Sequence, residues 1–97
     1  PFRDVRSSHV FHQYTIQVEA NMRNPLVDFL NNQGIPSGVY YPIPGHHQAA
    51  FSGFHLPDAF PISDHLAERV LSLPMHTELD ASQQEAISRA LIKFVLQ

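Results

Sequence analysis

The chain has 97 residues, a net charge of −3 with histidine neutral, and an apolar content of 43%. This length predicts one domain over residues 1–97 with a modest core. The six scattered basic residues argue against a nucleic-acid partner. There is no membrane-spanning apolar run, and the absence of cysteine excludes disulfides and thiolate chemistry.

The first predicted element is a strand over residues 9–19, HVFHQYTIQVE. Val10, Tyr14 and Ile16 are among the apolar and aromatic residues that recur at every second position. Side chains with this period point to one face of a half-buried strand.

A short helix over residues 25–33 and a second strand over residues 37–41 are predicted next. Asn24 is a favoured capping residue, and Pro25 is favoured at the first helical position. Gly34 is well placed as the left-handed residue that ends the helix. A proline with no N–H to donate follows the strand and ends it.

Residues 42–60 are predicted to form a long irregular loop, and residues 61–71 a helix. Pro61 suits the first position of that helix for the same reason as Pro25. A short strand at residues 71–73 is predicted before the next proline in the chain.

A final amphipathic helix is predicted after Asp80, with Gln83 at the capping-box position. Its apolar stripe includes Ile87, Leu91 and Phe94, a spacing typical of a helix packed on a sheet. The order of elements predicts the α+β class. We expect a small two-layer sandwich with a sheet of about three strands and helices mainly on one face.

The segment YYPIPGHHQAAFSGFH, residues 40–55, stands out within the predicted loop. It holds three histidines and four aromatic residues but no Lys, Arg, Asp or Glu. A linker would be more polar, and long loops in compact domains tend to be functional. The segment is therefore the strongest candidate for a binding surface.

Three residues of this segment are candidates for ligand binding: Tyr40, Tyr41 and His46. Tyrosine hydroxyls and imidazoles can hydrogen-bond a sugar or nucleotide while their rings pack on it. A packing role is an equally open interpretation of these three residues. For Phe51 and Phe54 we favour packing under the loop.

The histidines do not predict a metal site. His9 and His12 lie three residues apart on a strand and so point to opposite faces. His46 and His47 are neighbours, but no acidic ligand lies within the segment 40–55 that holds them. The spacing rules for zinc sites are not met, and we interpret these histidines as hydrogen-bonded residues. No nucleophile elbow or phosphate-binding glycine pattern is present either.

Three stretches carry a family resemblance: SGVYYPIPGHHQAAF, FPISDHLAERVLSLPMHTEL and ASQQEAI. Together they resemble the C-terminal domain of the DegT/StrS-type aminotransferases, which depend on pyridoxal phosphate (PLP) and act on nucleotide-linked keto-sugars. The resemblance covers about residues 9–97. Its most specific parts are the Tyr-Pro-x-Pro-x-His run at 41–46 and the ten-residue run at 67–76.

The resemblance implies a parent enzyme that is a cytoplasmic homodimer of polysaccharide or cell-surface glycan biosynthesis. Its N-terminal domain, which is outside these residues, would hold PLP and the aldimine lysine. The one lysine here, Lys93, is interpreted as a surface residue, so this chain alone is expected neither to bind PLP nor to transaminate. Tyr40, Tyr41 and His46 would contact the nucleotide-sugar substrate. The alternative is a non-catalytic regulatory or binding relative.

Overall fold

The computed structural model describes residues 3–8, 10–54 and 60–97, and it has the α+β architecture that the sequence predicts. In chain order, its regular elements are β1 (Tyr14–Gln17), α1 (Ala20–Asn32), α2 (Pro61–Arg69), β2 (Val70–Leu73) and α3 (Ala81–Val95). Two short 3₁₀ turns, Gly45–His47 and Ala49–Phe51, lie between α1 and α2. Within the described ranges, no helix is both long and apolar enough to cross a bilayer.

The two strands pair antiparallel. Tyr14 lies opposite Leu73, and Gln17 lies opposite Val70. The prediction of a strand over residues 9–19 is therefore wrong in its extent. The partner strand has only four residues, so the ladder covers four residues of β1 and leaves residues 10–13, 18 and 19 outside the strand.

The predicted strand over residues 37–41 is reduced to a single bridge. Gly38 donates its N–H to the carbonyl of Ser72 at 3.0 Å and accepts the N–H of Ser72 at 2.7 Å. The described sheet therefore has two strands rather than three. Pro36 and Pro42 flank this segment and have no N–H to donate, which limits how far the pairing can extend.

Helix α1 begins at Ala20, so the prediction that Asn24 caps it is wrong. Pro25 lies inside the helix, where it lacks the N–H that would bond to the carbonyl of Asn21. Asn21 is exposed, so water can bind this carbonyl, which lowers the cost of the missing hydrogen bond.

The predicted end of α1 is confirmed. Gly34 has φ +73° and directly follows Gln33, the C-cap residue of the helix. It donates its N–H to the carbonyl of Asn31 at 3.0 Å, and Ile35 donates to Leu30 at 2.9 Å. These bonds satisfy carbonyls that the helix end would otherwise leave without donors.

The predicted helix over residues 61–71 begins at Pro61 as expected but ends at Arg69. Val70 and the residues after it pair with β1 instead. In this segment, strand pairing replaces the last helical turn.

The capping box at the start of α3 is confirmed. Asp80 accepts the N–H of Gln83 at 2.8 Å, and the Gln83 side chain accepts the N–H of Asp80 at 3.0 Å. Ser82 donates its hydroxyl to the same carboxylate at 2.7 Å. The hydrogen bonds that the Asp80 carboxylate accepts, chiefly the one from the backbone N–H of Gln83, hold its pKa below the ordinary value.

The core forms where α1 and α3 meet β2. Leu26 and Leu30 of α1 pack with Leu71 of β2 and Ala90 of α3, and all four are buried. Both helices thus contact the sheet face that carries Leu71, as the predicted sandwich requires. Ser72, the next residue along β2, points to the opposite face.

Candidate functional site

The three predicted binding residues lie in two places. Tyr40 and Tyr41 line a cavity at the edge of the sheet. His46 does not line that cavity and instead packs beside the first turn of α2. The long loop therefore presents two chemically different clusters.

The tyrosine cavity has a volume of about 390 Å³. Besides the two tyrosines, its walls include His12 near β1 and Ser72 and Met75 at the end of β2. This volume is at the small end of ligand pockets, and such pockets combine apolar walls with a few polar groups. The cavity can take a group the size of one sugar ring.

The two tyrosines keep much of their surface open to solvent. Tyr40 is 48% exposed and Tyr41 is 71% exposed. Their ring centroids lie 5.8 Å apart with the planes at 75°, an edge-to-face arrangement. This contact holds the two rings together and leaves their hydroxyl groups for a ligand to bind.

His46 is the best packed of the candidates, since only 7% of its side chain is exposed. Its ring centroid lies 4.1 Å from that of His47 and 4.7 Å from that of Phe60. Its Nε2 lies 3.0 Å from Oδ1 of Asp64, in the first turn of α2. The same carboxylate oxygen is 3.8 Å from Nδ1 of His47.

Asp64 is the site residue that the sequence analysis missed. Asp64 lies outside the histidine-containing segment and belongs to α2, the helix that follows the loop. The helix start at Pro61 is the feature of the sequence that could have revealed Asp64, because it places this residue in the first turn of α2.

The packing interpretation of Phe51 and Phe54 is wrong for the described chain. Phe51 is 43% exposed and Phe54 is 65% exposed. Their rings contact each other with centroids 5.9 Å apart. Because the loop lies on the surface rather than over the core, the two rings stay open to solvent.

The remaining candidates have simpler surroundings. Lys93 is exposed on α3, and its Nζ lies 5.9 Å from the ring centroid of Phe29. It is not part of the tyrosine cavity. His9 and His55 lie outside the described residues.

A family model identifies the chain. Residues 1–92 match the DegT/DnrJ/EryC1/StrS aminotransferase family. The chain belongs to this family. The resemblance seen in the sequence is thereby confirmed.

Two curated relatives of this DegT/StrS chain illustrate the range of the family. UDP-N-acetyl-3-dehydro-α-D-glucosamine 3-aminotransferase from Acidithiobacillus ferrooxidans is 49% identical over 81 residues, which are 84% of this chain and 20% of the relative. A pleiotropic regulatory protein from Geobacillus stearothermophilus is 41% identical over 87 residues, 89% of this chain and 23% of that protein. The DegT/StrS chain thus spans about a fifth of the length of the curated relatives it matches.

Solved structures of the same family share the fold. A DegT/DnrJ/EryC1/StrS aminotransferase from Brucella abortus matches with a TM-score of 0.76 and 38% identity, covering 84% of this chain and 22% of that one. NtdA from Bacillus subtilis, solved with the bound cofactor PMP, matches with a TM-score of 0.80 and 26% identity over 92% of this chain and 21% of NtdA. The α+β architecture is therefore that of a segment within these aminotransferases.

Proposed function

We propose that this chain is the small C-terminal domain of a larger PLP-dependent aminotransferase that converts a nucleotide-linked keto-sugar to an amino sugar. Family membership, the names of the relatives and the short coverage of each support this assignment. The PMP-bound NtdA structure supports PLP as the cofactor of the parent. Lys93 is exposed on α3 and does not line the tyrosine cavity, which supports placing the cofactor lysine in the N-terminal domain of the parent.

The observation that carries the proposal is a run of exposed apolar and aromatic side chains, which we call the loop face. Its members are Tyr40, Tyr41, Ile43, Phe51, Phe54, Phe60 and Ile62, and each is at least 38% exposed. So many exposed apolar side chains within residues 40–54 and 60–62 support a binding surface rather than ordinary solvent-facing surface. We infer that the loop face packs against the N-terminal domain or a second subunit of the parent.

Within the parent, Tyr40, Tyr41 and His46 are the proposed substrate contacts. The tyrosine hydroxyls at the cavity are suited to donate to sugar or phosphate oxygens. Nε2 of His46 faces Asp64, so its Nδ1 is the nitrogen proposed to face the substrate. These contacts would orient the sugar, and orientation is a large part of the catalytic effect of a positioned site.

The wider assignment follows the family pattern. We propose that the parent is a cytoplasmic homodimer of polysaccharide or cell-surface glycan biosynthesis and uses glutamate or glutamine as the amino donor. The substrate named for the Acidithiobacillus relative makes a UDP-linked 3-keto-sugar the first acceptor to test.

The test uses the complete parent protein, assayed for amino transfer from glutamate to this acceptor. Tyr41→Phe removes one hydroxyl at the cavity and is expected to lower kcat/KM by about three- to tenfold, the worth of one neutral hydrogen bond. Tyr14→Phe is the matched control, since Tyr14 lies on β1 and does not line the tyrosine cavity. Its kcat/KM should stay within about twofold of the wild type.

A parent that transfers no amino group would contradict the proposed activity. Equal losses in the two tyrosine variants would contradict only the role of Tyr41. In the isolated chain, PLP with borohydride should trap no stoichiometric adduct on Lys93. Such an adduct would show that the cofactor site has been misplaced.

A second candidate function is regulation without catalysis, which the name of the Geobacillus relative favours. The two candidates differ in the visible spectrum of the complete protein. An internal aldimine band, lost on substitution of one lysine in the N-terminal domain, supports the enzyme. A complete protein with no such band supports the regulatory relative.

A further inference from the structure

Three potential metal ligands converge where the loop returns to α2. His46, His47 and Asp64 each offer one ligand atom, and these atoms all lie within 4.8 Å of one another. His46 and His47 come from the 3₁₀ turn Gly45–His47, and Asp64 comes from the first turn of α2. The cluster therefore joins two segments that are separated along the chain.

The contact between His46 and Asp64 does not have the geometry of a hydrogen bond. Nε2 and Oδ1 are 3.0 Å apart, yet neither of these buried atoms has a hydrogen-bond partner among the described residues. A proton on Nε2 therefore does not point at Oδ1. Two such atoms, buried and left without a partner, cost free energy unless a further group satisfies them.

A coordinated cation would give both buried atoms the partner that they lack. In a hydrogen bond the acceptor lies near the line of the N–H bond. Two ligands of a tetrahedral ion are instead about 3.3 Å apart for bonds of about 2.0–2.1 Å. Nε2 and Oδ1 lie 3.0 Å apart, near that separation.

His47 supplies the third ligand. Its Nδ1 is 3.8 Å from the same Oδ1, somewhat farther than two tetrahedral ligands lie from each other. The His47 side chain is 54% exposed, which leaves its ring room to rotate and an entry path for the ion. Two imidazoles and one carboxylate suit zinc and related divalent transition metals.

We propose that His46 Nε2, His47 Nδ1 and Asp64 Oδ1 form a binding site for a divalent transition metal, with Zn²⁺ as the expected ion. Three protein ligands leave a fourth position open on the exposed side, as in zinc sites that bind water or a ligand. The ion would fasten the loop to α2 and fix the ring of His46. The Nδ1–H of His46 would then be free to donate to a second group, as metal-bound imidazoles commonly do. The metal site shares His46 with the proposed substrate contacts, but it does not rest on the aminotransferase activity.

The test titrates the wild-type 97-residue chain with Zn²⁺ by calorimetry and with Co²⁺ by visible absorption. We expect one equivalent of each metal and the visible bands of tetrahedral cobalt. Asp64→Asn and His47→Gln each remove one ligand at positions with little packing to lose, and each should weaken Zn²⁺ binding by at least about tenfold. Far-UV circular dichroism confirms that each variant keeps its helices.

His65→Gln is the matched control. His65 is exposed, directly follows Asp64 in α2 and is not one of the three ligands, so its substitution should leave the affinity within about twofold. No stoichiometric binding to the wild type, or unchanged affinity in both ligand variants, would overturn the site. A loss in His65→Gln equal to that in Asp64→Asn would also overturn it, because the ion would then be held elsewhere on α2.

Discussion

The phenol ring of Tyr40 lies directly over Gly38. A Cβ added at Gly38 would fall 2.8 Å from Cε2, Cζ and the hydroxyl oxygen of Tyr40, which is closer than van der Waals contact allows. The bridge residue Gly38 therefore decides where the first tyrosine of the candidate site can lie. The backbone pairing with Ser72 and the position of the ring depend on the same glycine.

Gly38→Ala is expected to push the Tyr40 ring out of its place while the fold is retained, because the atoms in the way are the far end of a flexible side chain. The measurement is the chemical shift of the Tyr40 ring protons by NMR. Gly53→Ala is the control, since a Cβ at Gly53 meets nothing within 4 Å. Unchanged Tyr40 shifts in Gly38→Ala would show that the ring does not cover Gly38 in solution.

Leu30→Ala should lower the free energy of unfolding by about 2–5 kcal/mol, the usual cost of truncating a buried leucine. Leu30 is fully buried at the contact of α1 with β2 and α3, and alanine is a good helix former, so the loss reports packing. Urea unfolding measures this loss in the free energy of unfolding. Leu96→Ala makes the same truncation at a site that is 80% exposed and should change stability by no more than about 0.5 kcal/mol. Similar losses in the two variants would contradict the described core.

The Thr15 and Ser72 hydroxyls lie 2.8 Å apart on the face of the sheet opposite Leu71. A double-mutant cycle with Thr15→Val and Ser72→Ala should give a coupling of about 0.5–1.5 kcal/mol, the net worth of one hydrogen bond. Each single variant leaves one hydroxyl without its partner, whereas the double variant leaves none. Additive effects of the two substitutions on urea unfolding would rule out the bond.

The cap of α3 should make stability depend on pH in the acid range. The pKa of Asp80 is lowered in the folded chain, so its contribution is complete above the unfolded pKa of about 3.9. That contribution is lost as the pH falls through the lower folded value. Asp80→Asn keeps an oxygen that accepts the Gln83 N–H but cannot titrate.

Thermal unfolding followed across this pH range tests the Asp80 cap. The difference in Tm between the wild type and Asp80→Asn should shrink or change sign as the pH falls below about 3.9. Asp80→Ala should lower the Tm at neutral pH by more than Asp80→Asn does, because alanine cannot cap the helix. A Tm difference that does not change with pH would contradict the capping carboxylate.

Local signals in the sequence were sufficient wherever a few neighbouring residues decide the backbone. The Gly34 helix end, the Pro61 helix start and the Asp80 capping box all lie where they were predicted. Each depends on a hydrogen bond or a backbone preference that acts within four residues. The family could be identified for a similar reason, since its most specific motifs are continuous runs of residues.

Tertiary structure decided the features that depend on a distant partner. The length of β1 is limited by the four residues of β2, and pairing at Val70 ends α2 two residues before its predicted end. An apolar alternation or a helical pattern contains no information about how long its partner is. The same holds for the start of α1, where a local cap and proline signal at Asn24 and Pro25 was overridden.

The candidate site divides in the same way. The sequence alone shows that the segment 40–55 is aromatic, free of Lys, Arg, Asp and Glu, and rich in histidine, and this composition points to Tyr40, Tyr41 and His46. Only the fold separated the tyrosine cavity from His46 and brought Asp64 to within 3.0 Å of that imidazole. Composition and local spacing act over a few residues, whereas a cluster of ligands requires the chain to return on itself, and that return depends on packing across the whole domain.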